Sequence, residues 1–123
     1  MAKPILCLDF DGVCHSYTSG WKGATIIPDL PVPGMWHFLE QAIHDFEVHI
    51  YSSRSHQEGG IAAMRCWFLE NADSFYRQDI VKKHLQFPQE KPPALVTLDD
   101  RALTFTGVWP SVEMLSQFKP WNK

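Results

Sequence analysis

The chain is short of cysteine, of long apolar runs and of positive charge, and each shortage excludes a class of function. Three cysteines, Cys7, Cys14 and Cys66, cannot all pair within one chain, and none stands in a CxxC or Cys/His spacing that resembles a zinc site. A reducing, cytoplasmic setting is the expectation. Met1-Ala2-Lys3-Pro4 leads only into a short apolar run that Asp9 breaks, too short for a signal h-region or a membrane span, so no membrane partner is expected. Lys and Arg number 11 against 14 Asp and Glu, a formal charge of −3, so no global positive field draws nucleic acid or anionic lipid. Nucleic-acid ends would need a local cationic pocket. No linker, repeat or low-complexity tract divides the 123 residues, which predicts one domain over 1–123. At 45% hydrophobic and 20% charged residues, that domain should fold.

Ile5, Leu6, Cys7 and Leu8 form an unbroken apolar run after Pro4, as in a parallel strand buried on both faces. Residues 12–33, with Gly12, Gly20, Gly23, Pro28, Pro31 and Pro33, show no sustained period and read as a long loop with a small hairpin. Met35, Phe38, Leu39, Ala42, Ile43 and Phe46 recur at helical spacing and predict an amphipathic helix. A second strand is expected over Val48–Tyr51, and a buried helix over Ile61–Leu69 with Arg65 and Glu70 at its wet edge. Further strands are expected over Ile80–Phe87, Ala94–Leu98 and Leu103–Phe105, and a terminal helix over Val112–Phe118. Trp36 and Trp67 read as core, and Trp109 and Trp121 as pins for the carboxyl terminus. Strands alternating with helices predict an α/β fold: a Rossmann-like parallel sheet with helices on both faces and ligands beyond the carboxyl ends of the strands.

The unusual polar clusters fall at those ends. Asp9 and Asp11 follow the first strand, and an extended backbone would point both side chains to one side, with Gly12 allowing close approach of a ligand. Adjacent carboxylates repel unless a cation lies between them, and Mg²⁺ is the hard divalent ion usual beside phosphate. A solvated, capped turn would account for this pair alone. Asp99 and Asp100 end a second apolar strand, and two such pairs at one sheet edge look like a metal site. Ser52, Ser53 and Arg54 follow another strand, a hydroxyl and guanidinium set suited to phosphate oxygens. Lys91, or its rivals Lys82 and Lys83, could neutralise the same charge. His15, His56 and Cys14 lie near the acids in sequence but carry no partner fixed by spacing, and structural roles suit them better.

Leu8-Asp9-Phe10-Asp11-Gly12-Val13 resembles the first motif of the haloacid dehalogenase-like phosphohydrolases, DxDG followed by Thr or Val after an apolar strand. The later motifs of that family follow in order, as Ser52, a lysine best matched by Lys91, and the pair Asp99 and Asp100. The resemblance spans Ile5 to Arg101. It implies a Mg²⁺-dependent phosphatase in which Asp9 attacks phosphorus and Asp11 handles protons on the leaving oxygen and the hydrolytic water. It further implies Mg²⁺ on the Asp9 carboxylate, the Asp11 main-chain carbonyl and Asp100, with Asp99 assisting, and phosphoryl contacts from Ser52 and Lys91.

The chain has no room for the cap domain of larger family members. Segment 12–33 resembles the flap of capless ones, and Tyr17, Trp21 and Lys22, with Ser53 and Arg54, are the candidates to touch the leaving group. The substrate expected is a phosphorylated small molecule or nucleotide. Ser52-x-Arg54 and Asp99-Asp100-Arg101 also resemble the 3′-phosphatase module of phage polynucleotide kinases, so a nucleic-acid-end phosphatase is one alternative. A non-catalytic phosphate- or partner-binding module is the other.

Overall fold

The computed structural model describes residues 2–123. Four strands, β1 (Ile5–Leu8), β2 (Glu47–Ile50), β3 (Leu85–Gln86) and β4 (Val96–Leu98), form one parallel sheet in the order β3-β2-β1-β4. The helices are α1 (Met35–Asp45), α2 (Gly60–Asn71), α3 (Phe75–Lys83) and α4 (Val112–Ser116). The α/β fold with a parallel sheet is as the sequence predicts. No helix among the described residues is long and apolar enough to cross a membrane.

Strand alternation sends Leu6, Leu8, Val48, Ile50 and Leu85 to one face, where they join residues of α1, α2 and α3 in a single core cluster. The expectation of helices on both faces fails here. Cys7, His49, Gln86 and Thr97 share the opposite face by register, and the connection from β3 to β4, which could have covered it with a helix, carries Pro88, Pro92 and Pro93. Proline lacks the N–H that a helix interior needs. On that face Glu47 accepts hydrogen bonds from His49 and Gln86, so a polar network stands in place of a second helix layer.

Two predicted strands are also corrected. The first half of Ile80–Phe87 belongs to α3, which Ser74 caps by accepting from the Arg77 backbone N–H at 3.2 Å; only Leu85–Gln86 is strand. The helix escapes a reading by periodicity because Phe75 and Tyr76 are exposed while Ile80 and Val81 alone are buried. Leu103–Phe105 is irregular, since the sheet ends at β4. Beyond β4 the chain forms an exposed arm whose α4 buries no residue, and Trp109, expected as a pin, is 85% exposed. Trp121 does serve: its Nε1 donates to the Gly12 carbonyl at 2.7 Å.

In α1 the buried set is Met35, Trp36, Leu39, Ala42 and Ile43. Trp36, read as core, is 8% exposed and packs its indole edge-on against Phe68 of α2, whereas Phe38, placed on the buried stripe by its spacing, is 41% exposed. Adjacent aromatic residues should therefore differ sharply. Trp36→Ala is expected to cost about 3–5 kcal/mol and Phe38→Ala roughly 1 kcal/mol or less, read from urea unfolding midpoints at constant slope.

Candidate active site

In a doubly wound sheet, ligands bind where the strand order reverses. With the order β3-β2-β1-β4 that point lies between β1 and β4, which pair with Leu8 opposite Leu98. The two strands therefore end level, and the Asp9 backbone N–H donates to the Leu98 carbonyl at 2.9 Å. Asp9, Asp99 and Asp100 each present a carboxylate oxygen within 4.8 Å of the others. Asp100 is tucked against Gly12, where a Cβ would overlap its carboxylate, so glycine here is a requirement of close approach. Asp99 is exposed and accepts from the Arg101 backbone N–H at 2.8 Å. Burial, then the negative charge of Asp99 and a proton shared with Asp100, push the Asp9 carboxyl up to about 8. Such a carboxylate set favours a cation.

Asp11 lies two residues away in an opposite environment. Arg54 Nε donates to its Oδ2 at 2.9 Å and Arg54 Nη2 to its Oδ1 at 3.1 Å, a two-pronged ion pair. His15 Nε2 accepts from the Asp29 backbone N–H at 3.0 Å, which leaves the ring proton on Nδ1 for Asp11 Oδ1 at 2.9 Å. Burial acts to raise the Asp11 carboxyl, but the hydrogen bonds from His15 and Arg54 and the guanidinium charge outweigh it and hold the group below its ordinary value.

Arg54 is fully buried. Its Nη1 donates to the Gly23 and Ala24 carbonyls at 2.7 and 3.0 Å, so its remaining donors grip the flap. The sequence places Arg54 among substrate ligands; the structure makes it the strut between Asp11 and segment 12–33. The base of that segment closes as the expected small hairpin, with Ser16 N–H donating to Leu30 O and Val32 N–H to Cys14 O, each at 2.9 Å.

Two clefts meet at the carboxylates. One, of about 340 Å³, is lined by Asp9, Asp11, Tyr17, Trp21, Asp100 and Arg101. The other, of about 230 Å³, is lined by Cys7, Tyr51, Lys91 and Thr97. Asp9, Ser52, Ser53 and Asp99 border both. Ser52 lies two residues beyond β2 and caps a 3-10 turn over Ser53–His56, its Oγ accepting from the Arg54 backbone N–H at 3.1 Å. A hydroxyl that accepts in this way keeps its own proton to donate.

Of the three candidate lysines, Lys91 borders a cleft, whereas Lys83 pairs with Asp79 on α3 and Lys82 is exposed on the same helix. Lys22 is exposed and borders neither cleft. Cys14 is buried, and burial with the charges of Asp9 and Asp11 pushes its thiol up, away from nucleophilic use. Asp29 and Tyr51 are site-forming residues that sequence reasoning does not single out, whereas His15, named there with a structural role, and Arg101, quoted there only within a motif, both join the site. For His15 the one available signal is its position four residues after Asp11.

Because the Asp11 carboxyl is more acidic folded than unfolded, its charged form stabilises the fold above the unfolded value of about 3.8, and this contribution vanishes as pH falls through the folded value. Urea midpoints measured from pH 7 down to pH 2 should fall more steeply for the wild type than for Asp11→Asn. At pH 7, Arg54→Met should lose about 3–5 kcal/mol, the usual cost of leaving half of a buried pair. No protein-family model, curated protein or solved structure matches the chain at a significant level.

Proposed function

We propose that the chain hydrolyses phosphate monoesters through an aspartyl-phosphate on Asp9, as its resemblance to the haloacid dehalogenase-like phosphohydrolases implies. The observation that carries this reading is the meeting of Asp9, Asp99 and Asp100 at the switch point of the sheet, with Ser52 and Lys91 lining a cleft that Asp9 also lines. An Asp9 oxygen attacks phosphorus, the ester P–O bond breaks, and the leaving oxygen departs with a proton. Water then attacks the acyl phosphate, releasing inorganic phosphate and restoring the Asp9 carboxylate.

Asp11 handles the protons. Held as a carboxylate by Arg54 and His15, it is suited to accept a proton from the hydrolytic water, and its donation to the leaving oxygen is favoured toward acid. Ser52 Oγ and the Lys91 ammonium bind phosphoryl oxygens and stabilise their charge. The donor set fits Mg²⁺: three carboxylates present oxygens within 4.8 Å of one another, and burial with the neighbouring acids raises the Asp9 carboxyl. Asp9, the Asp11 main-chain carbonyl and Asp100, assisted by Asp99, would hold it. Bound there, the ion would neutralise charge on the phosphoryl oxygens.

Asp9→Asn should lower hydrolysis on the order of 10³-fold or more without lowering the melting temperature. Asp11→Asn should cost roughly 10²–10⁴-fold with an alkyl phosphate and far less with an aryl phosphate, whose leaving group needs little protonation. Full activity in a folded Asp9→Asn protein would exclude the covalent route.

Metal binding is testable without turnover. Lacking a cation, the cluster destabilises the fold increasingly as pH rises from the ordinary 3.8 toward about 8. Mg²⁺ should therefore raise the melting temperature more at pH 9 than at pH 6. Asp100→Asn should increase the Mg²⁺ concentration needed for half that shift more than Asp99→Asn does, since Asp100 is the buried partner of Asp9. A shift independent of pH and of both substitutions would remove this site.

A further inference from the structure

We infer that Trp21 is a preformed stacking platform for a nucleobase, so that the leaving group on the phosphate is a nucleoside. This deepens the phosphatase reading and rests on it for the position of the phosphate. The inner face of the indole lies on Arg54, whose Cζ is 4.6 Å from the ring centroid. That guanidinium cannot drift, because Asp11 and the carbonyls of Gly23 and Ala24, two and three residues after Trp21, fix it. The indole is thus held flat before any ligand arrives, which lowers the entropy lost on stacking.

Trp21 nevertheless remains 45% exposed and borders the cleft that contains Asp9. A tryptophan placed only to shield Arg54 has no need to face that cleft. A cation behind the ring draws electron density from its outer face, and such a face favours an electron-rich planar partner over a sugar or an alkyl chain. Tyr17 borders the same cleft with a φ of 60°, a left-handed conformation that a bulky residue seldom adopts and that recurs at ligand sites. At about 340 Å³ the cleft is at the small end of the range for ligand sites, suited to one nucleotide unit. Arg101 also lines the cleft, with its Nε 3.9 Å from the Asp100 carboxylate.

The test is binding to Asp9→Asn protein, so that no ligand is consumed. Adenosine 5′-monophosphate should bind about ten-fold or more tighter than ribose 5-phosphate, the range expected of one base stacked on an aromatic ring. Trp21→Leu, which keeps apolar cover on Arg54 but has no π face, should bring that ratio close to one, and Trp21→Phe should leave an intermediate ratio. Trp109→Ala, on the exposed arm, should not alter the ratio. Comparison of the mononucleotide with a 3′-phosphorylated oligonucleotide, both dependent on Trp21, identifies a free nucleotide or a chain end as the source of the base. Equal binding of the nucleotide and the sugar phosphate, or a preference that survives in a folded Trp21→Leu protein, overturns the platform. Hydrolysis of both compounds by the wild type with equal binding would refute the platform and keep the phosphatase. Trp21-dependent binding with no hydrolysis of any monoester would do the reverse.

Discussion

A guanidinium with no exposed surface must find acceptors for its N–H groups inside the protein, and the solution adopted for Arg54 organises the rest of the site. Desolvating this charge is tolerable only because Asp11 meets two of its nitrogens and flap carbonyls meet a third. Those acceptors come from the turn after β1 and from segment 12–33, while Arg54 itself follows β2. One side chain thus ties two strand ends and the flap together. The chain around it is shaped to suit: Gly60 opens α2 where any Cβ would overlap the Arg54 carbonyl, and Trp21 closes over the guanidinium from outside.

The same arrangement separates two aspartates that the sequence presents as a pair. Asp11 is surrounded by donors and stays ionised; Asp9 is surrounded by acids and keeps a proton. Environments that push two carboxyls in opposite directions are how one site obtains both a base and a cation-seeking group at neutral pH. The division arises from topology, because β4 lies beside β1 and delivers Asp99 and Asp100 to Asp9, whereas β2 lies on the other side and delivers Arg54 to Asp11.

Much of this is legible in the sequence. Apolar runs ending in acids identify β1 and β4, since a buried parallel strand has few other reasons to end in paired carboxylates. Helical spacing identifies α1 and Trp36 reads as core, but the spacing also buries Phe38, which the structure leaves 41% exposed. The missing information is tertiary. A buried arginine and a surface arginine look alike in a sequence, so Arg54 reads as a ligand until its partners at residues 11, 23 and 24 are seen. His15 is similar, for its role depends on Asp29 being brought back to it by the flap. α3 is hidden because its exposed aromatics, Phe75 and Tyr76, spoil the period, and the absence of a helix on the second sheet face goes with prolines in the β3–β4 connection whose effect on layering shows only once the strand order is known.

The central claim is that Asp9 forms a covalent bond to phosphorus. Mixing the protein with Mg²⁺ and an aryl phosphate, quenching in acid within milliseconds and mapping the peptides by mass spectrometry tests it directly. The account predicts a phosphoryl group on the peptide bearing Asp9, transient in the wild type, longer-lived in Asp11→Asn, and absent in Asp9→Asn. Hydrolysis that proceeds at full rate with no phosphorylated peptide, or with the phosphoryl group on Ser52, would contradict it.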